Sequence, residues 1–163
     1  MKNDKRQQRD KVRAEEQSPI KFQQEKALCE YMSLYREIDK VYHEIAVKSG
    51  LSDSAFVILC SILEIGEGCL QKDICDMNSI SKQTVHSSIR RMEQEGYIII
   101  KPEGKKDKKI YLTHFGREFA QEKIFPVLEA ENEIFVEMKE EEKQELVRLM
   151  KQYLRKLREK TRI

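Results

Sequence analysis

The stretch from Ser81 to Ile98, SKQTVHSSIRRMEQEGYI, decides how this chain is read. Its apolar residues Val85, Ile89 and Met92 recur at i, i+4 and i+7, which is one face of an α-helix. Lys82, Gln83, His86, Ser87 and Arg90 fall on the opposite face. A helix over Lys82–Glu95 is predicted, with Ser81 before its first turn and Gly96 ending it. Tyr97–Ile100 is a β-branched and aromatic run too short for another helix, and Ile110–Thr113 is a second such run. Between them, Pro102-Glu103-Gly104-Lys105-Lys106-Asp107 carries the signals of a turn. The helix is therefore followed by a hairpin with a lysine-rich tip.

Upstream, Asn78-Ser79-Ile80-Ser81 reads as a turn and Leu70–Met77 as a short helix. Before the Gly66-Glu67-Gly68 break, Ser54–Ile65 is predicted as a helix capped by Ser52 or Asp53, with Phe56, Leu59, Ile62 and Leu63 inward. A long helix from Phe22 to Lys48 carries Leu28, Tyr31, Met32, Tyr35, Ile38, Tyr42, Ile45 and Ala46 at helical spacing, and Gly50 closes it. Downstream, a helix capped by Thr113 starts at His114, and Pro126 inside its pattern predicts a kink or a division. A last helix over Glu140–Glu159 bears the stripe Leu146, Leu149, Met150, Tyr153, Leu154 and Leu157. The fold class expected is mainly α with a small β-hairpin wing. A charged, Gln-rich arm over residues 1–20 has too few apolar side chains to offset the entropy of ordering it.

Net charge is only +2, so distribution matters more than the total. Residues 81–113 hold eight Lys or Arg against four Asp or Glu, whereas residues 117–145 hold ten Glu against four basic residues. A local basic block attracts polyanions even in a near-neutral protein. On the predicted helix, glutamine suits adenine and arginine or lysine suits guanine in a major groove. Ser81 and Thr84 at the helix start place hydroxyls beside the positive end of the helix dipole, where phosphate is favoured. The candidate DNA-binding residues are Ser81, Lys82, Gln83, Thr84, His86, Ser87, Arg90, Lys105, Lys106 and Lys108. An ordinary amphipathic surface helix is the competing reading, and the basic hairpin after it weighs against that.

Three segments in order carry a family resemblance: SDSAFVILCSI at 52–62, SKQTVHSSIRRMEQEGYI at 81–98, and KKDKKIYLTHFG at 105–116. Together they resemble the multiple-antibiotic-resistance regulator (MarR) family of winged helix-turn-helix transcription regulators. The Asp-Arg-Arg triplet usual in that family's wing is here Gly104-Lys105-Lys106, with Asp107 three places late. Lysine lacks arginine's planar fork, so phosphate attraction is the role expected of this tip. The resemblance implies a homodimer on a pseudo-palindromic operator, expected to act as a repressor. It divides the chain into the arm (1–20), an N-terminal dimerisation helix (21–49), the winged helix-turn-helix domain (50–116) and C-terminal dimerisation helices (117–163).

The resemblance also implies a small-molecule effector crevice, for which Tyr31, Tyr35, Tyr42 and His43 are the candidates; plain core or dimer contact is the competing reading. Some members of the family sense peroxide through a cysteine in the first long helix, and Cys29 stands there, beside Glu25 and Glu30, which would not lower its pKa. Cys60 and Cys75 are expected as small buried hydrophobes. The histidines are scattered and no Cys/His pair has ligand spacing, so no metal and no cofactor are expected. No phosphate loop, nucleophile elbow or HExxH is present, and an enzyme is not expected. The first residues are too polar for a secretory leader and no apolar run is long enough to span a membrane, which leads to cytoplasmic residence as the expectation. The alternatives kept open are a winged-helix protein-interaction module and a redox-responsive regulator using Cys29.

Overall fold

The computed structural model describes residues 22–103 and 107–162, so the expected arm over residues 1–20 lies outside it. The chain divides into two units, residues 1–41 and 42–163. Helix α1 (Lys26–Lys48) runs through the boundary. It begins four residues later than the expected Phe22 because the Glu25 carboxylate takes the Leu28 amide at 2.9 Å, which caps the first turn there.

The second unit holds the core. Helix α2 (Asp53–Ile65) is capped by Ser52, whose side chain accepts from the Ala55 amide. A two-residue strand β1 (Cys69–Leu70) leads into helix α3 (Gln71–Asn78), a turn, and helix α4 (Lys82–Gln94). Strands β2 (Ile98–Glu103) and β3 (Asp107–Leu112) form the hairpin, and helix α5 (His114–Phe119) comes next. The sheet is antiparallel in the order β1-β3-β2, with Cys69 opposite Ile110 and Ile98 opposite Leu112. Ile58, Leu59, Ile62, Ile74, Val85, Ile89, Met92, Ile98 and Ile110 are all buried and form one cluster, so α2, α3, α4 and the hairpin share one core. The predicted inward residues of α2 are there, with Leu63 packed at the edge.

Both hairpin strands are longer than expected. Pro102 and Glu103 belong to β2 and pair with Lys108 and Asp107, which shortens the connection to residues 104–106. Proline fits because β2 is an edge strand, where the missing N–H need not interrupt a ladder.

Among the described residues one polar side chain, Ser61, is buried in the core, and it is satisfied. Ser61 donates to the Val57 carbonyl at 2.8 Å and accepts from the Asn78 amide at 2.7 Å. Asn78 also donates to the Ile74 carbonyl, which ties the end of α3 to α2. Ser79 then takes the left-handed conformation (φ 54°, ψ 29°), turning the chain toward α4.

After α5 the helix widens into a π-helical turn over Ala120–Ile124 before helix α6 (Phe125–Glu137). The Phe125 amide reaches back five residues to the Ala120 carbonyl, and Pro126 has no amide to offer its own preceding turn. Proline thus divides the segment, as its position predicts. Helix α7 (Glu140–Thr161) is acidic at its start and basic at its end, matching its dipole. Among the described residues no single helix is long and apolar enough to cross a membrane.

Candidate nucleic-acid interface

Helix α4 starts at Ser81, whose side chain caps it by accepting from the Thr84 amide at 3.1 Å. The two hydroxyls of Ser81 and Thr84 are also bonded to each other at 2.8 Å. One of those two protons is used in that bond, and the other stays available to a phosphate oxygen. Val85, Ile89 and Met92 anchor the helix in the core, while Lys82, Gln83, Thr84, His86, Ser87 and Arg90 are all exposed. Ser54 of α2 and Ser88 of α4 share a hydroxyl bond of 2.8 Å, which fixes the back of the helix.

The side chains on this outer face are not equally free. Lys82, Gln83 and Arg90 have no side-chain partner among the described residues. Ser87 donates its hydroxyl proton to the Thr84 carbonyl at 2.9 Å, so outward it offers an acceptor. Arg91 is held by Glu95 at 2.8 Å one turn on, and that bond raises its pKa further above the ordinary arginine value. His86 bonds through Nδ1 to Oε1 of Gln71 at 3.4 Å, and Gln71 donates from Nε2 to the Lys82 carbonyl at 3.2 Å. Gln71 opens α3 and is half-buried, and it was not legible as a site residue: a lone glutamine carries no periodic signal.

On the wing, Lys105 and Lys106 lie outside the described residues. Lys108 is exposed at the end of β3. Lys109 forms an ion pair with Glu103 across the hairpin, and Lys101 sits over the Tyr111 ring with its ammonium 5.0 Å from the centroid. Two wing lysines therefore meet an anion or a ring within the hairpin itself.

The hairpin is bolted to helix α5. The Thr113 hydroxyl caps α5 by accepting from the Gly116 amide at 2.9 Å and donates to the Gly96 carbonyl, while the Thr113 amide donates to the Tyr97 carbonyl. Tyr97, Phe115 and Phe119 form an aromatic cluster with centroids 4.9 to 6.3 Å apart. Glu67 takes Arg117 in a two-pronged pair, both contacts at 2.8 Å, and also accepts from the Leu112 amide.

The effector and redox candidates belong to α1. His43 pairs through Nδ1 with Asp53 at 2.8 Å. Tyr42 donates to Glu131, and that bond, with partial burial, pushes its phenol up to about 12. The tyrosine and the histidine thus turn to different partners. Tyr31 and Tyr35 stand earlier on α1, in the first unit, with Tyr35 half exposed. Cys29 is exposed, and its thiol donates to the Gln24 side-chain carbonyl oxygen at 3.4 Å. Cys75 is buried as expected, and Cys69 is too; Cys60 is only part-buried, but burial still pushes its thiol up to about 12. Among the described residues no three His, Cys, Asp or Glu side chains cluster to hold a metal.

A helix-turn-helix whose second helix presents a polar face, joined to a hairpin locked onto the next helix, defines a winged helix-turn-helix protein. Comparison with known proteins narrows it: residues 49–109 match the model of the MarR family. Solved structures agree on the fold. A MarR family regulator from Neisseria meningitidis superposes with a TM-score of 0.67 at 19% identity, covering 84% of this chain and 96% of its own. A MarR protein from Peptoclostridium difficile gives 0.63 at 20% identity, covering 88% and 95%. The Staphylococcus aureus MarR, solved in complex with salicylate and kanamycin, gives 0.61 at 18% identity, covering 80% and 89%. No curated protein matches the chain.

Proposed function

We propose that the chain is a sequence-specific, DNA-binding transcription regulator, not an enzyme, that acts as a repressor in the form of a homodimer on a pseudo-palindromic operator. The observation that carries the reading is the outer face of α4. Lys82, Gln83 and Arg90 are exposed there without side-chain partners among the described residues, on a helix held rigid from behind. Cations and amides left unpaired on a rigid helix suit base edges and phosphates.

The homodimer is supported by apolar surface that the single chain leaves uncovered. Leu146, Leu149, Met150, Tyr153, Leu154 and Leu157 on α7 are each 40% exposed or more. A stripe of that length needs a partner, and two-fold symmetry would set half-site centres one turn of DNA apart, about 34 Å. The Staphylococcus aureus relative was solved with small molecules, which supports an effector for this chain as well. Any effector seated beside Tyr42 would meet the carboxylates of Glu131 and Glu64, a setting that disfavours an anion.

The test is fluorescence anisotropy on duplexes that include the DNA upstream of the chain's own gene, at two salt concentrations. Tight binding that prefers one site and weakens steeply with salt is the expected result. Binding with no salt slope, or none at low salt, would overturn the reading in favour of a protein-interaction module.

A further inference from the structure

Gln71 sits where it can decide what His86 offers to DNA. Its amide orientation is fixed at one end, because Nε2 donates to the Lys82 carbonyl at 3.2 Å. That leaves Oε1, which can only accept, against Nδ1 of His86 at 3.4 Å. A neutral imidazole has one N–H, so a bond to an acceptor at Nδ1 requires the proton to be there. Nε2, across the ring, then carries a lone pair, and no described residue bonds it. His86 is exposed on the same face of α4 as Gln83 and Arg90.

We propose that Gln71 is a positioning residue for sequence readout: it holds His86 in the Nδ1–H form, so that Nε2 accepts a hydrogen bond from an exocyclic amino group in the major groove. Such groups are N6 of adenine and N4 of cytosine; guanine and thymine present oxygens at the corresponding places. Without Gln71, either tautomer is open and the discrimination fades. The inference rests on the DNA-binding reading above, and it adds a partner chemistry for one side chain and a residue outside α4 that sets it.

Two measurements test it. The first needs no DNA: long-range nitrogen–proton NMR distinguishes the two imidazole tautomers, and the chain has three histidines to assign. His86 should be Nδ1–H in the wild-type chain and should lose that form in Gln71→Leu. An Nε2–H signal for His86 in the wild-type chain would overturn the proposal. The second is selection from randomised duplexes, scored as base preference at each position within each variant, so that uniform changes in affinity drop out. One half-site position should favour adenine or cytosine by roughly fivefold, the factor one ordinary hydrogen bond supplies. That preference should be lost in both His86→Ala and Gln71→Leu. Salt-sensitive binding with no position responding to Gln71 would overturn this inference alone, whereas loss of all salt-sensitive binding in the wild-type chain would overturn the regulator reading itself.

Discussion

Gly116 lies so close to the backbone of Tyr97 that a β-carbon on it would stand 1.8 Å from the Tyr97 carbonyl oxygen. The obstacle is main chain, which cannot swing aside as a side chain can. Gly116→Ala should therefore push α5 off the base of the hairpin, although alanine is the better helix former by about 1 kcal/mol. A net destabilisation of about 1–3 kcal/mol is expected from overpacking. Urea denaturation checks it, and a more stable variant would show that the two segments separate freely.

Gly96 provides the contrast. A β-carbon there meets nothing within 4 Å, but φ is +81°. Gly96→Ala should cost about 1–2 kcal/mol from backbone conformation alone. Here DNA affinity should track stability and nothing else, because no neighbour has to move.

The adjacent arginines of α4 should behave differently on DNA. Arg90→Ala should lose about 1–3 kcal/mol of operator binding if it reads a base. Arg91 is already held by Glu95, so Arg91→Ala should weaken binding by roughly twofold or less, as loss of an exposed, paired charge does. Anisotropy titrations on one duplex compare them, and equal losses would remove the distinction drawn from the Arg91–Glu95 pair.

Ser61→Ala should cost about 1–3 kcal/mol, because it takes away the acceptor that faces the Asn78 amide inside the core. Asn78 keeps its bond to the Ile74 carbonyl, so the lower half of that range is expected. Thermal unfolding of the variant measures it.

Stability should fall with rising pH between about 9 and about 12. Cys60 and Tyr42 ionise near 9.0 and 10.0 when unfolded and near 12 when folded. Above the unfolded values the native chain therefore binds more protons than the unfolded one, and the slope of stability against pH is negative. Their contribution is complete below pH 9 and lost by the time the pH has passed 12. In the same sense, Cys60 should react with thiol reagents at pH 8 about a thousandfold more slowly in the folded chain than in the denatured one. Equal rates would show that the thiol is not desolvated.

Periodicity made the helices readable: α2, α4 and α5 begin within a residue of where caps and apolar spacing place them, because Ser52, Ser81 and Thr113 do perform the capping. What the pattern could not carry is pairing. The strand Cys69–Leu70 has two residues and exists only through its register with Ile110 and Lys109. The hairpin extends past Pro102 because cross-strand partners decide where a strand ends, and local turn propensity does not. For the candidate interface, spacing alone marks the outward face of α4. It could not show that Ser87 turns its proton inward, that Lys109 is matched by Glu103, or that Gln71 reaches from another helix.

The π-helical turn at Ala120–Ile124 has a geometric consequence for everything after it. An extra residue in one turn advances the phase of the helix by about 100°. Phe115 and Phe119 both pack on Tyr97, and in an unbroken helix the residues at 3,4 spacing after them would continue that side. The wider turn rotates every later residue about the helix axis, and Ile134, Phe135 and Val136 beyond it are exposed. One length of chain can thus close the wing with its first side and present a different side to whatever lies beyond. Deleting a single residue from the turn would not shorten the segment much; it would re-index it.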